Sequence, residues 1–579
     1  MDSDPAQLHP ARVEQAQRDP VERDPSPHDQ ARVRVCGSIG HAADDRVAAM
    51  SALLGDPPTV LDRATAALRG TATARWTSTG AEAASWSPTP LPEKLPADAR
   101  HIAEQHDAFS LVVPDSGDPY LHAGISGAAP VYVDTAGETT GGAPGTYLCS
   151  HVEPLARTRR GPLRPDWDAW AQVLAMGGPL EGRTPFAGIR RLPPYARLTA
   201  TAGGACEITT TGWPWPEVTS SSAASLDTVR DALTASVGAL GERARFAPLL
   251  SGGWDSRILT ALAARTEGTG LTAWTTSSDT GTVLEELVSA KVAGTLGIEH
   301  AIVPARRDRF SHDLAYFTGA VEHQTSFHVW LVPLATALAG NGATVLDGLG
   351  GGVFVGGAFP DSGSDLPVLD RRFTRMAKYL DAVGDVLHPN VAGQVAERTR
   401  ASFDTVAEPL AEHPYGNTFT AYLTRTLPGI SLSPFGLLSR GNPVATPFLD
   451  DSVVRAALAI PHAEHAEGAL YAPLLRPLAP ELAELPTAAE IPQARRHHRR
   501  RVASPEAAER FRELLTREPV RGLLAPGFAA AGTETWRRML GRTNQQHLIR
   551  SLATMSLWFE RHEDLLGDLS PDELREPVT

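Results

Sequence analysis

The segment that decides the fold reads FAPLLSGGWDSRILTAL and covers residues 246–262. Residues 246–250 are apolar enough for a buried strand, and residues 257–262 carry helical apolar spacing. The loop between them therefore joins the carboxyl end of a strand to the amino terminus of a helix. Free backbone N–H groups and the helix dipole favour an anion at that position. The segment thus predicts a phosphate-binding loop within an α/β fold.

The side chains of this loop support the same interpretation. Gly252 and Gly253 allow the backbone to approach a phosphate closely, and the hydroxyls of Ser251 and Ser256 can donate to its oxygens. Asp255 would repel a bare phosphate, so its presence indicates an intervening Mg²⁺. A Gly-Gly turn in which Asp255 caps the next helix would use the same residues. The full pattern between a strand and a helix is more specific than such a turn.

Length, charge and cysteine content limit the class of protein. A chain of 579 residues is expected to form two or more domains. The net charge of −14 argues against general nucleic-acid binding. We find neither a secretory signal nor an apolar run of about 18 residues, so no membrane span is expected. Cys36, Cys149 and Cys206 form neither a disulfide framework nor a metal-ligand pattern, which favours a cytoplasmic protein.

The texture of the chain predicts four segments. Residues 1–31 are almost devoid of apolar side chains and are expected to be a disordered tail. Residues 32–212 contain short β-like runs and predict a sheet-rich α+β domain. Residues 213–224, which begin Trp-Pro-Trp-Pro, are expected to be a linker. Residues 225–579 alternate helices with buried strands, which implies a parallel sheet, and become mostly helical beyond roughly 365. The elements expected before that point are helices at 225–241, 255–265, 283–296 and 328–339, and strands at 246–250, 271–276, 300–303 and 343–347.

The loop 251–256 resembles the pyrophosphatase loop of the asparagine synthetase superfamily, whose members adenylate a carboxylate and release pyrophosphate from ATP. Further segments are similar to that superfamily in the same order: 123–132, 182–193, Glu286 with 290–297, 347–351 and 447–450. The resemblance implies an α/β protein with an N-terminal glutaminase-like domain of the Ntn-hydrolase type. A parallel-sheet ATP-pyrophosphatase domain with a helical C-terminal half would follow.

The resemblance also implies ATP and Mg²⁺ as cofactors, and the physics of the loop suggests roles for individual site residues. Asp255 would hold Mg²⁺, and Thr275 in the strand 271–276 would line the adenine. Asp347 would lie near the reacting phosphate as a second Mg²⁺ ligand, while Arg495 and Arg496 would stabilise pyrophosphate or the acyl-adenylate. The glycines and hydroxyls that would surround the ATP phosphates are Ser251, Gly252, Gly253, Ser256, Gly348, Gly350 and Gly351.

The first departure from the superfamily concerns glutamine. Its glutamine-using members need an N-terminal cysteine, exposed by loss of Met1, to release ammonia. Asp2 stands at that position here. Cys36 lies within a predicted strand, has no free α-amine, and is expected to be a core residue. We therefore expect no glutaminase chemistry and a nucleophile other than ammonia.

The second departure lies in the helical half. No lysine follows Lys378, so the late lysine of glutamine-using members has no counterpart. The arginine-rich run 495–501 and the segment 429–438 resemble actinobacterial lasso peptide macrocyclases. This resemblance implies that an acidic side chain of a precursor peptide is adenylated and attacked by the peptide's own α-amine. It also implies a leader-binding protein and a peptidase as partners. The arginine run could equally be a solvated basic loop.

The third departure removes an acidic residue. Gly352 stands where the superfamily places a second Mg²⁺-binding carboxylate. Asp347 ends the preceding predicted strand and would face the same crevice beyond the carboxyl ends of the strands. It could replace the missing ligand directly or through water, or it could simply cap a turn.

Three hypotheses follow. The leading one is an AMP-forming amide ligase that cyclises a peptide. A small-molecule amide or β-lactam synthetase of the same superfamily would act on a small carboxylate and need no leader-binding partner. The third is a catalytically impaired scaffold that binds nucleotide or peptide. Such a scaffold would not exchange pyrophosphate into ATP, whichever carboxylate substrate is supplied.

Overall fold

The computed structural model describes residues 34–134, 146–200, 206–492 and 500–575, except 79, 90, 92, 97, 278, 280–281, 360–364 and 568–569. The fold is mixed α/β, with antiparallel sheets in the N-terminal part and a mostly helical C-terminal half. The predicted tail 1–31 lies outside the described residues. Within the described ranges, no helix combines the length and apolar character needed to cross a membrane.

The N-terminal part contains two six-stranded antiparallel sheets. Strand order in the first is β10-β8-β9-β1-β3-β2, and in the second β12-β11-β7-β6-β5-β4. The strands are β1 (Val35–Ile39), β2 (Thr59–Arg63), β3 (Ala66–Gly70), β4 (Thr73–Ser78), β5 (Ala81–Trp86), β6 (Phe109–Pro114), β7 (Tyr120–His122), β8 (Tyr132–Asp134), β9 (Thr146–Cys149), β10 (Ile189–Arg191), β11 (Arg197–Ala200) and β12 (Cys206–Thr209). The helices are α1 (Asp45–Leu53), α2 (Ala99–His106), α3 (Val152–Arg157) and α4 (Trp167–Met176).

Alternation along β1 divides its side chains between two apolar layers. Val35 and Ile39 belong to the core between the two sheets. Cys36 belongs to the layer that also contains Met50 of α1 and Trp170 of α4. Cys36 is fully buried there, and burial raises the pKa of its thiol to about 12. The prediction that Cys36 is a core residue is confirmed.

The C-terminal part holds short parallel ladders among many helices. The strands are β13 (Phe246–Pro248), β14 (Thr272–Thr276), β15 (Glu299–Val303), β16 (Thr344–Leu346) and β17 (Val444–Ala445). Strand β16 pairs in parallel with β13 and β17, and β14 pairs in parallel with β15. The helices are α5 (Leu226–Gly241), α6 (Trp254–Glu267), α7 (Leu284–Leu296), α8 (Phe310–Ala320), α9 (Val332–Leu338), α10 (Gly351–Phe354), α11 (Val368–Met376), α12 (Val383–Val386), α13 (Pro389–Ala407), α14 (Gly416–Ala421), α15 (Asp451–Ala459), α16 (Tyr471–Leu475), α17 (Pro480–Ala483), α18 (Pro505–Leu515), α19 (Pro526–Ala529), α20 (Thr533–Leu540) and α21 (Thr543–His562).

Proline explains where some elements differ from the sequence prediction. The helix expected at 328–339 starts as a 3-10 turn, Val329–Leu331, before α9, which carries Pro333 in its first turn. Beyond 365 the chain is helical as predicted, but Tyr422–Ile430 and Ser433–Leu437 are π-helical. Each of these segments contains a proline, which cannot donate a helical hydrogen bond.

The segment predicted as a linker is packed against both halves. The Trp213 indole donates to the carbonyl of Ile125, at 2.9 Å, in the N-terminal part. Trp215 is fully buried, and its indole donates to Asp451 at 2.9 Å in the C-terminal part. Arg191 of β10 adds a second connection, because its guanidinium donates to the carbonyl of Leu427 at 2.7 Å. The two halves therefore share buried contacts, and the boundaries near 212 and 225 stay a prediction.

Candidate nucleotide-binding site

The loop 251–256 begins just past β13 and leads into α6. Leu250, the residue before the loop, is anchored to β14, because its N–H donates to the carbonyl of Trp274 at 2.8 Å. The loop is closed by its own hydroxyls: the Ser251 N–H donates to Ser256 Oγ at 3.0 Å, and the Gly253 N–H donates to Ser251 Oγ at 3.2 Å. The donors that the sequence assigned to phosphate are thus gathered at one end of two neighbouring strands.

Glu285 reaches the same loop and was missed by sequence reasoning. Its Oε2 accepts a hydrogen bond from the Gly252 N–H at 2.5 Å. A Cβ at Gly252 would lie 2.6 Å from the Cβ of Ala488 and 2.9 Å from Glu285 Oε2, so only glycine fits. The adjacent Glu286 accepts from the hydroxyl of Ser277, just past β14. A carboxylate therefore occupies one of the backbone donors that a phosphate would use.

Asp255 is half-buried in the first turn of α6. Its Oδ1 is shielded from solvent and has no hydrogen-bond partner in the described part of the chain. The Tyr471 hydroxyl and the Gly352 N–H donate to the same carboxylate. Burial raises the pKa of Asp255 to about 7, and the negative charge of Asp347 contributes in the same direction. A carboxylate that is costly to ionise and has a free oxygen is suited to receive a cation.

Asp347 follows β16 and lies close enough to Asp255 for their charges to interact. Its Oδ1 accepts from the Leu349 N–H at 2.8 Å, so it caps the turn that opens the second glycine-rich loop. Burial raises the pKa of Asp347 to about 6. Turn capping and proximity to Asp255 therefore coexist in this residue.

The second glycine-rich loop packs its backbone against Asp255. A Cβ at Gly348 would lie 2.8 Å from the Cβ of Asp255, and one at Gly351 would overlap the Asp255 carboxylate. Gly350 has φ +94°, and a Cβ there would overlap Leu449. At Gly352 a Cβ would stand 3.7 Å from Asp255 Oδ2, an ordinary contact distance. A Cβ is therefore accommodated at Gly352, where the superfamily places an acidic residue, and it would stand beside Asp255.

Three residues that the sequence did not single out form a chain of contacts that starts at Asp255. Trp254 stacks on Tyr471 with ring centroids 6.1 Å apart, which positions the phenol that donates to Asp255. The Arg257 guanidinium lies 4.7 Å from the Trp254 ring. Arg257 is buried and donates to the carbonyl of Leu485 at 2.7 Å, which ties α6 to the segment after α17.

The remaining predicted site residues are placed as follows. The Thr275 side chain is buried, and its hydroxyl donates to the carbonyl of Leu250 at 2.6 Å and contacts His300 Nε2 at 2.8 Å. Thr275 therefore braces the strand end, and its role towards adenine stays a prediction. Arg495 and Arg496 fall within 493–499, outside the described residues.

The site's donor set fits a hard cation shared with phosphate. The described residues contain no group of three or more His, Cys, Asp or Glu side chains placed to hold a metal ion. Asp255 and Asp347 form a pair, however, and Mg²⁺ is commonly held by one or two carboxylates together with phosphate oxygens and water. The unpartnered Oδ1 of Asp255 is the atom that such an ion would satisfy.

Comparison with known families agrees with this geometry. The model of the family described as asparagine synthase matches residues 228–560, more than half of the chain. The matched region includes the loop 251–256, Asp347 and the second glycine-rich loop. No curated protein matches the chain. The chain belongs to the asparagine synthase family.

Proposed function

We propose that this member of the asparagine synthase family is an ATP-dependent amide ligase that forms AMP and pyrophosphate and closes a ring within a peptide. The observation that carries the ATP-dependent part is the Asp255–Asp347 pair, which lies between two glycine-rich loops and includes an unpartnered oxygen. The family implies an ATP-dependent C–N ligase.

In the proposed reaction, a carboxylate oxygen of the substrate attacks the α-phosphorus of ATP. The bond between the α-phosphorus and its bridging oxygen breaks, and pyrophosphate leaves. An amine then attacks the acyl carbon, AMP leaves with the bonding pair, and the amine loses its proton. The N–H groups and hydroxyls of residues 251–256 would hold the phosphates. Mg²⁺, held by Asp255 and Asp347, would supply neutralisation of phosphate charge.

The peptide substrate is supported by the resemblance of residues 429–438 to lasso peptide macrocyclases. These residues extend from the π-helical segment Tyr422–Ile430, which Arg191 of the N-terminal part contacts at Leu427. Holding a peptide's amine beside its own activated carboxyl would contribute about 7–11 kcal/mol through positioning. The burial of Cys36 supports a nucleophile other than ammonia from glutamine.

The test combines the protein, ATP, Mg²⁺ and a leader-cleaved precursor peptide. We expect AMP and a product lighter by one water. Asp255→Ala should abolish both, whereas Asp231→Ala, an exposed aspartate on α5, serves as the matched control. AMP formation with a small amino acid but not with the peptide would favour the small-molecule ligase. If the folded protein exchanges no pyrophosphate into ATP with any carboxylate, the result would favour the scaffold hypothesis.

A further inference from the structure

Phe327 forms the centre of an aromatic group built from segments outside the loop 251–256. Its ring is clamped between two glycines, since a Cβ at Gly177 or Gly429 would lie 2.5 Å from ring atoms. The ring lies 6.4 Å from that of Tyr379 and 6.2 Å from that of His547. Tyr379 and His547 stack on each other at 4.7 Å. Segments distant in sequence, from the end of α4 to α21, therefore meet here.

Four cations surround this aromatic group, and we call them the cationic cluster: Lys378, Arg425, Arg500 and Arg550. Arg425 lies 6.0 Å from the centre of the Phe327 ring, and Arg550 donates to the Phe327 carbonyl at 2.8 Å. Lys378 directly precedes Tyr379. Burial lowers the pKa of His547, and the positive charges of all four cations act in the same direction.

One buried donor of the cluster has no partner among the described residues, and a second cation is held in a strongly positive environment. The Arg550 side chain is buried, and its Nε has no hydrogen-bond partner among the described residues. The negative charge of Asp279 interacts with Arg550, but the Asp279 carboxylate already accepts a hydrogen bond from the Arg501 N–H at 2.7 Å. Burial lowers the pKa of Lys378 to about 8, and the positive charges of Arg425 and Arg375 add to that effect. An anion placed among these side chains would relieve the repulsion.

The cluster is connected to the same edge of the parallel strands as the nucleotide loop. Asp279, whose charge interacts with that of Arg550, lies three residues past the end of β14. The loop 251–256 follows β13, and Leu250 is hydrogen-bonded to β14. In the proposed function, the hydroxyls and N–H groups of that loop would hold the phosphates. The cluster uses other elements, namely the 3-10 turn Lys378–Ala382, the π-helical segment Tyr422–Ile430 and α21.

We infer that the cationic cluster binds a carboxylate of the substrate other than the one that is activated, so that the enzyme selects an acidic substrate. This inference rests on the proposed function, because it assigns the cluster to the acyl substrate of the ligase. Arg425 is exposed and Lys378 half-buried, so the cluster can receive a ligand from solvent. Guanidinium groups pair with carboxylates through two parallel hydrogen bonds, whereas the lysine contributes a point charge.

Because the chain has few lysines, the reactivity of Lys378 can be followed separately from that of every other lysine. The protein has only three lysines, and Lys94 and Lys291 are exposed while Lys378 belongs to the cluster. The full chain is treated with an acetylating reagent, and each lysine is followed by mass spectrometry with and without a tetra-aspartate peptide. At a peptide concentration about ten times Kd, acetylation of Lys378 should slow about tenfold. Lys94 and Lys291 should be unaffected, and tetra-asparagine should protect none of the three.

Variants identify the source of the protection. Arg425→Gln should remove it, whereas Arg538→Gln, an exposed arginine on α20, should preserve it. Absence of protection in the unmodified chain, or equal protection by inorganic phosphate, would overturn the carboxylate assignment. Binding of a fluorescent ATP analogue should be unchanged by Arg425→Gln, and a loss would mean that the cluster serves the nucleotide. Peptide protection in a chain that binds no ATP would contradict the proposed function alone.

Discussion

Replacing Asp255 by Asn is expected to make the unliganded protein more stable while removing its ATP-dependent activity. In the folded protein, burial raises the pKa of Asp255 from 3.8 to about 7. The folded state therefore holds the proton more tightly than the unfolded state does. Stability falls as pH rises through the window between these two values, and the full cost is present above the higher one.

The size of the effect follows from the shift. One pKa unit corresponds to about 1.4 kcal/mol, so ionised Asp255 costs the folded state up to about 4 kcal/mol at pH 8 and about 2 kcal/mol at pH 5. Asparagine carries no charge and keeps one oxygen that can accept from Tyr471. The variant should therefore gain stability chiefly at the higher pH. Such a gain at the expense of activity is typical of a strained functional site.

The assay is thermal unfolding without Mg²⁺ at pH 5 and pH 8, for the unmodified protein, Asp255→Asn and the surface control Asp231→Asn. We expect a higher Tm for Asp255→Asn at pH 8 and a smaller gain at pH 5. Addition of Mg²⁺ and ATP should raise the Tm of the unmodified protein and of the control only. Equal pH dependence in all three proteins, or AMP formation by Asp255→Asn, would refute the reasoning.

Three further predictions concern the same site and Cys36. Asp347→Asn should raise the Mg²⁺ concentration for half-maximal AMP formation about tenfold or more, and an unchanged requirement would exclude a ligand role. Gly352→Asp should lower that requirement, because its side chain would stand beside Asp255, whereas Gly352→Ala should not; equal values for the two variants would contradict this. Cys36→Ala should leave AMP formation unchanged, and the unmodified chain should release no ammonia from glutamine, which a colorimetric ammonia assay checks.

The local character of the nucleotide loop made it readable from sequence. A buried strand, two glycines and an amphipathic helix occur within residues 246–262, and each depends mainly on its neighbours in the chain. The helices at 225–241 and 283–296 and the strand at 271–276 were predicted to within one residue at each end for the same reason. The burial of Cys36 also followed from its place within an apolar run.

The contacts that tune the site depend on folding over long separations, which no local pattern encodes. Glu285 on the Gly252 N–H and Tyr471 on Asp255 become neighbours only when α7 and α16 pack around the loop. The cationic cluster brings Lys378 together with Arg550, more than 170 residues further along the chain. In a chain so rich in arginine, sequence alone cannot say which of them converge. By itself, therefore, the sequence predicted the loop 251–256 between a strand and a helix and indicated the family. Tertiary packing decided the acidity of Asp255, the space at Gly352 and the positive charge beside Phe327, because these depend on burial and distance.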